Sequence, residues 1–547
     1  MPEVRLRHAP AGPVLESEAL RLAVRLDEGI FSLTRADSRD EVIRNAWTGV
    51  ALADGVSLAS RGAGFDVERV EPVEDAHGRG RALTLHRRTA AGEPHLALTL
   101  TLYEEQPFAV LQSRLANTTG RPLRVQAFHV LQAGPLPHAQ AGDWRFYKHG
   151  WQSFSPTITV SADDDDIPPF PPIVDPATRP QGQGLISDLV AALAEPASGQ
   201  TITAGFVSAA DQFSQVWLDR EDAALTAASY ADGVELAAAA ELSSERVAVD
   251  ITSNPMSALL RYGDALAREM GAVSWAHIVT GWCSWYHYFG QVSEDDILAN
   301  LERLVELRDG LPLEYVQVDD GFQAGIGDWL TANEKFPHGM AWLAGRIHER
   351  GFKAGLWLAP FLAGARSRLF ADHPDWVVRD EAGGPVVAIQ NWEQLCYALD
   401  CTRPEVIDWL EHVFRTVTDD WGYDYVKIDF IYAAAVEGVR RDAGATRAQA
   451  YRRGLEAIRR AVGGRFVLGC GAPIGPSIGL VNGMRIGPDV APFWHPQARL
   501  GRRISLSLPA AANALRSAIT RFWRHNRLWL NDPDCLLLRD SETALTP

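Results

Sequence analysis

The sequence predicts a multidomain β plus α/β protein, an N-terminal antiparallel β-sandwich followed by a (β/α)8-type (TIM) barrel. Three observations predict it. Residues 1 to 253 hold many short runs that alternate apolar and polar side chains, with turn residues between them and no helical intervals. Beyond about residue 276, apolar β-branched runs alternate with segments of helical period, as in a parallel sheet with crossover helices. The runs of this second half end in polar side chains, where such a barrel carries its active site. A chain of 547 residues also exceeds one hydrophobic core.

In the first half, His95–Tyr103 (HLALTLTLY) has the period of a half-buried strand, as do Leu20–Leu26, Phe108–Leu115 and Leu123–Val130. Ser161–Pro180 holds Asp163 to Asp166 and then IPPFPP; like charges and prolines do not pair into a sheet, so this is a loop, solvated or closing over a site. Just before it, Tyr147–Ser155 (YKHGWQSFS) reads as sandwich packing or as a rim reaching a neighbouring site. From Asn254 to Val273 the period becomes helical after an Asn-Pro start, giving a linker helix at 254–275 between domains 1–253 and 276–547. Seven strands follow: His277–Tyr286, Tyr315–Gln323, Phe352–Phe361, Trp421–Phe430, Phe466–Pro473, Asn482–Val490 and Leu528–Leu537. Helices are expected over Asp295–Asp309, Arg346–Arg350 with its upstream turn, Pro404–Thr418, Arg447–Val462 and Leu506–Arg524. A closed barrel needs one strand more, so a strand escapes this reading, the barrel is open, or the chain is shortened.

A net charge of −17 argues against nucleic acid or an anionic membrane as partner, and no run reaches transmembrane length. The N-terminus lacks a signal peptide's apolar core, and five scattered cysteines suit reduced thiols, so a cytoplasmic protein is expected. No metal-binding motif appears, so neither metal nor cofactor is expected. A small-molecule partner fits best, and a homo-oligomer is left open.

WGYDYVKIDF (Trp421–Phe430) alternates Lys427 and Asp429 with Val426 and Ile428, so both charges share one face. By itself that is a buried ion pair. Six strands ending in functional groups make a site: Asp319 and Asp320, Trp357, Lys427 and Asp429, Cys470, Arg485 and Asp489, and the Asp532–Asp534 pair. Two carboxylates from different strands, with arginine, lysine and tryptophan, suit glycoside hydrolysis. One carboxylate attacks the anomeric carbon; the other protonates the leaving oxygen and then activates water. Lys427 would keep Asp429 ionised, since a nearby cation lowers a carboxyl pKa. Asp489 leaves its strand on the Gly487-Pro488 turn and would reach over the site. Tryptophans would stack on the sugar, and Asp319, Asp320 and Arg485 would bind its hydroxyls.

VQVDDGFQ, FKAGLWLAP, YVKIDF, LGCGAP and GMRIGPDV, in this order, resemble the α-galactosidases of glycoside hydrolase family 36. GWCSWYHYF is similar to the barrel-opening segment of its bacterial and raffinose-synthase-like branches. The resemblance covers Gly281 to about Leu537 and implies a retaining enzyme acting on terminal α-D-galactosyl residues of melibiose- or raffinose-type oligosaccharides. It implies Asp429 as nucleophile and Asp489 as acid/base, roughly 5–5.5 Å apart. It also implies that Asp319, Asp320, Trp357, Lys427, Cys470 and Arg485 hold the galactose. Trp285 and, from the N-terminal domain, Trp151 are the further aromatic candidates. The chain departs from the family at Phe361, where many members have glutamate, and the resemblance implies an eighth strand and a C-terminal β-domain that this sequence is expected to lack. Transfer in place of hydrolysis, N-acetylgalactosamine in place of galactose, and an inactive sugar-binding barrel stay open.

Other motifs read blandly. Asp532 and Asp534 in NDPD read equally well as turn formers and are left out of the candidate site, and His287 reads as a packed neighbour. Asp380 and Glu381 belong to a solvated turn. GPSIG (Gly475–Gly479) fits G-x-S-x-G but lacks the strand–turn–helix context of a serine hydrolase, and GCGAPIG has its third glycine one place late for a dinucleotide site.

Overall fold

A computed structural model describes residues 3–38, 40–136, 144–167, 184–497, 506–537 and 541–545. Among the described residues, the first part folds into two antiparallel sheets of ten strands each. One sheet runs from Arg5–Ala9 through Leu20–Arg25, Glu41–Leu52, Leu123–Pro135 and Ala224–Leu236 to Gly184–Asp188. The other runs from Ile158–Ser161 through Arg145–Lys148, Val190–Ala194, Val247–Thr252, Phe108–Ala116 and His95–Tyr103 to Phe65–Asp75. Leu96, Leu98, Leu100 and Leu102 of one strand are fully buried, but Ala97, Thr101 and Tyr103 are buried as well, so the strand expected to be half-buried is covered on both faces. The strands read at His95, Phe108 and Leu123 begin where the pattern put them.

A helix, Pro255–Met270, leaves the last sandwich strand. Asn254 accepts a hydrogen bond from Ser257 N at its start, Pro255 occupies the first turn, and Gly271 ends it at φ 61°. Its buried face, with Leu259, Tyr262 and Leu266, packs on the sandwich strands and on Trp523.

Seven parallel strands form the second part, hydrogen-bonded in chain order: Gly281–Cys283, Tyr315–Val318, Lys353–Leu358, Tyr425–Ile428, Phe466–Gly469, Gly483–Arg485 and Leu530–Asp532. Each matches one sequence run, trimmed to its regular part. Among the described residues no ladder joins the first strand to the last, so the barrel sheet is open on that side. Helices Glu294–Leu307, Met340–Glu349, Pro404–Arg415, Arg447–Val462 and Ala511–Thr520 lie between strands. Capping boxes at Ser293/Asp296 and Thr446/Gln449 fix two of their starts.

One element escaped the sequence pattern. Between the third strand and helix Pro404–Arg415 the chain inserts a three-stranded antiparallel sheet, Leu362–Gly364, Val387–Asn391 and Gln394–Ala398. Its hairpin turns at Trp392 and Glu393, both at positive φ (49° and 54°), a two-residue turn of the I′ kind without glycine. Asp380 and Glu381 lie exposed in the preceding turn. Of the Ser161–Pro180 loop only residues 161–167 are described; there Asp166 pairs with buried Lys148 at 2.6 Å, and the lid reading falls outside the described residues.

Candidate active site

Every strand of the parallel sheet delivers a polar group at its carboxyl end, and these groups bond to one another. Asp319, after the second strand, is 2% exposed. Its Oδ2 accepts from Lys427 Nζ at 2.9 Å and Gln317 Nε2 at 2.6 Å, and lies 3.5 Å from the Cys283 thiol. Its N–H donates to Ser284 Oγ at 2.9 Å. Asp320 turns the other way: Oδ1 accepts from Gln323 Nε2 and Oδ2 from Trp392 Nε1, both at 2.6 Å. Burial raises its pKa above the usual carboxylate range; the Trp392 and Gln323 bonds pull it back, and Asp319 and Asp429 push it further up.

Asp429 sits directly after the fourth strand, its N–H donating to Leu358 O at 2.8 Å. One carboxylate oxygen accepts from Trp357 Nε1 at 3.2 Å and the other from Phe430 N at 2.7 Å. The second bond requires Phe430 at φ 51°, an uncommon conformation for a bulky residue, and such strain collects at functional sites. Gly471 (φ 54°) passes close by: a Cβ there would stand 3.1 Å from Phe430 N, so glycine lets the fifth strand's end approach Asp429.

Lys427 corrects one expectation. Its ammonium forms its ion pair with Asp319, while Asp429 acts on it only through space. Inward side chains of alternate barrel strands meet in layers, which brings the second and fourth strands together here. Burial opposes the ammonium, yet Asp319 and then Asp429 more than offset it, holding its pKa well above the ordinary value.

The sixth strand supplies Arg485, 2% exposed, whose Nη2 lies 2.8 Å from Asp489 Oδ1 and 3.1 Å from Asp534 Oδ2. Asp489 is partly open, its side chain 34% exposed. Between Asp429 and Asp489 stands Cys470, on the strand that separates theirs. Burial pushes its thiol pKa well up, Asp429 and Asp489 add to the rise, and Arg485 and Lys427 oppose it. That thiol therefore lies within the field of both carboxylates.

Two groups that the sequence reading left outside the candidate site join its network. Asp534 is a buried partner of Arg485, accepts from Val490 N at 2.7 Å, and is bonded by Tyr286. Burial pushes its carboxyl up to about 6, with Arg485 opposing and Asp489 and Asp532 adding. The turn reading of NDPD holds as well, since Asp532 Oδ1 accepts from Asp534 N at 2.9 Å. Trp392, beyond its bond to Asp320, stands 5.4 Å from the Phe430 ring and 6.3 Å from Trp357, forming an aromatic wall. A carboxylate-facing tryptophan on a hairpin tip carries no periodic signal.

Trp285 lies on the turn after the first strand, its ring 5.3 Å from Phe289, and none of its ring contacts is with the carboxylates. Trp151 is buried in the seam between sandwich and barrel, 5.8 Å from Phe213, and its carbonyl accepts from Ile474 N. It is not bonded to Asp429 or Asp489; the direct link from its loop to the site is Ser153, whose Oγ donates to Arg485 O at 2.9 Å. Phe361 is a core residue against Tyr451 at 6.0 Å. Ser477 of GPSIG is wholly buried and bonded to Tyr451 OH and Pro473 O, a structural serine. His287 packs on Tyr288 at 4.7 Å. Among the described residues no three His, Cys, Asp or Glu groups are placed to hold a metal, and no helix is long and apolar enough to cross a membrane.

The fold thus joins a two-sheet β-sandwich to a parallel barrel sheet, with carboxylates beyond the ends of its fourth and sixth strands. Residues 288–461 match the melibiase family model. An α-galactosidase from Thermus thermophilus, solved with stachyose, is 33% identical, with 84% of this chain and 91% of that one covered at a TM-score of 0.64. The same protein was solved with p-nitrophenyl α-D-galactopyranoside. The glycoside hydrolase family 36 α-galactosidase AgaA of Geobacillus stearothermophilus shares the fold, with 95% of this chain and 86% of that one covered, at 14% identity and a TM-score of 0.63. Among curated relatives, α-galactosidase Mel36A of Lactobacillus acidophilus is 30% identical over 159 residues, 28% of this chain and 20% of that protein's length. The chain belongs to the family 36 α-galactosidases, the melibiase family.

Proposed function

We propose that the protein is a retaining α-galactosidase that cleaves terminal α-D-galactosyl residues from oligosaccharides by double displacement, with Asp429 as nucleophile and Asp489 as acid/base. The observation that supports this is that two differently held carboxylates, Asp429 and Asp489, both act on the Cys470 thiol. Asp429 is fixed from both oxygens by Trp357 and Phe430, which aims it, while Asp489 is half-open on Arg485.

Asp429 attacks the anomeric carbon from the β face as Asp489 gives its proton to the leaving oxygen. A galactosyl ester on Asp429 results, and Asp489 then takes a proton from water, which opens the ester with net retention. Two fixed hydrogen bonds, one to each oxygen, hold the Asp429 carboxylate in one orientation for attack. Asp319, Asp320, Lys427 and Arg485 supply paired, oriented polar groups for the sugar hydroxyls, and Trp357, Trp392 and Phe430 an apolar face. The known ligands of the Thermus relative, an aryl galactoside and stachyose, support a galactoside as substrate. The division into 1–253, 254–275 and 276–547 belongs to this reading, with the sandwich supporting the barrel.

Turnover of p-nitrophenyl α-D-galactopyranoside by the intact chain, lost in Asp429→Asn, tests the proposal. No turnover with galactose still binding would replace it by a sugar-binding barrel.

A further inference from the structure

The N-terminal sandwich reaches the acid/base strand through one buried cation. Arg521, just beyond helix Ala511–Thr520, is completely buried and faces no carboxylate. Its guanidinium instead gathers main-chain oxygens: Nη2 donates to Gln152 O at 3.0 Å and Ser155 O at 2.9 Å, and Nη1 to Ser153 O at 2.9 Å. Nε donates to Thr157 Oγ1 at 2.8 Å. These acceptors all belong to one sandwich loop. A further acceptor, Ile486 O at 2.6 Å, belongs to the barrel, one residue beyond Arg485.

Ser153 closes the same link from the other side, its Oγ donating to Arg485 O at 2.9 Å. The carbonyls of two successive residues, Arg485 and Ile486, are thus held by the sandwich loop and by the cation that shapes it. Three residues later the chain reaches Asp489. Between them, Gly487 runs so close to helix Ala511–Thr520 that a Cβ there would meet Ser517 Cβ at 2.9 Å. The path from Arg485 to Asp489 is therefore gripped on both sides, while the carboxylate itself stays partly open.

We infer that Ser153 and Arg521 are positioning residues for the acid/base. The clasp sets where the Arg485 guanidinium and the Asp489 carboxyl stand relative to the leaving oxygen, and so makes the sandwich part of the catalytic apparatus. This rests on the assignment of Asp489 as acid/base. A burial of this kind is costly, since desolvation disfavours an unpaired guanidinium, and a purely structural loop anchor would not need its acceptors split between two sheets.

The test uses leaving groups. Nitrophenolate departs with little help from an acid, whereas the sugar oxygen of melibiose must be protonated as it leaves. In the full chain, Ser153→Ala should lower kcat/KM on melibiose by roughly tenfold, a fraction of the 100- to 10,000-fold that general acid catalysis contributes. On p-nitrophenyl α-galactoside the fall should be under about threefold on the same scale. Arg521→Lys, which can make at most three of these bonds, should show the same split more strongly, with thermal unfolding recorded for both variants. Asp489→Ala is measured alongside. Should it show the split while Ser153→Ala lowers both substrates equally, or neither, the clasp is only structural and the inference falls. Should Asp489→Ala itself show no split, the acid/base assignment falls first and takes the inference with it.

Discussion

Replacing Trp392 by Phe keeps an aromatic ring at the hairpin tip and deletes one N–H. That N–H donates to Asp320 Oδ2 at 2.6 Å, on a carboxylate only 5% exposed, so water does not simply take its place. A hydrogen bond to a charged group contributes about 1.5–3 kcal/mol, and each 1.36 kcal/mol is a factor of ten in rate. If Asp320 orients the sugar, Trp392→Phe should lower kcat/KM by roughly 10- to 150-fold. A second readout has a defined sign. The Trp392 bond holds down a carboxyl pKa that burial has raised, so losing it moves that pKa up again. Activity that needs the carboxylate falls as pH drops through that value, so the acid limb of kcat/KM should shift to higher pH. Profiles on p-nitrophenyl α-galactoside for wild type, Trp392→Phe, Asp320→Asn and the double variant provide the assay. Because both changes act on one contact, the double variant should lose less than the product of the single losses. A loss below about threefold with an unmoved acid limb, or full additivity, would refute the role given to Trp392.

Lys427→Met should destabilise the protein by about 3–5 kcal/mol, because it leaves Asp319 charged, buried and without its cation. Urea unfolding measures this, and a loss under about 1 kcal/mol would show that Asp319 has other compensation. Asp534 titrates at about 6 in the fold, above the ordinary 3.8. Its proton is bound more tightly folded than unfolded, so the stability it contributes is complete below the ordinary value and lost as pH rises through 6. Asp534→Asn should therefore lack the decline the wild type shows between those two values, seen as unfolding free energy against pH; parallel curves would contradict it.

Much of this was legible before folding because the relevant signals are local. Helix Arg447–Val462 matches its reading residue for residue, since Thr446 and Gln449 form a capping box and Gly463 stops it. The strand runs were read too long. His277–Tyr286 reduces to Gly281–Cys283, its last residues turning into the short helix Trp285–Tyr288. Pairings were less legible than placements. Lys427 and Asp429 share a face in sequence, but the ammonium pairs with Asp319, which only the barrel's layering brings near. Asp534 looked like a turn former and is one; its second role depends on Arg485, on another strand. The hairpin bearing Trp392 was missed because its turn, Asn391-Trp-Glu-Gln394, contains none of the glycine that marks a two-residue turn.

The central claim is that Asp429 is the nucleophile and Asp489 the acid/base, and azide rescue addresses both at once. In Asp429→Gly, azide entering the vacated β side should restore turnover of an aryl α-galactoside and yield β-galactosyl azide. In Asp489→Gly, azide should open the galactosyl ester and yield the α-azide. The anomeric configuration read by NMR decides the matter. β-Azide from the Asp429 variant and α-azide from the Asp489 variant are the predicted pair; the reverse pair, or rescue of neither, would contradict the assignment.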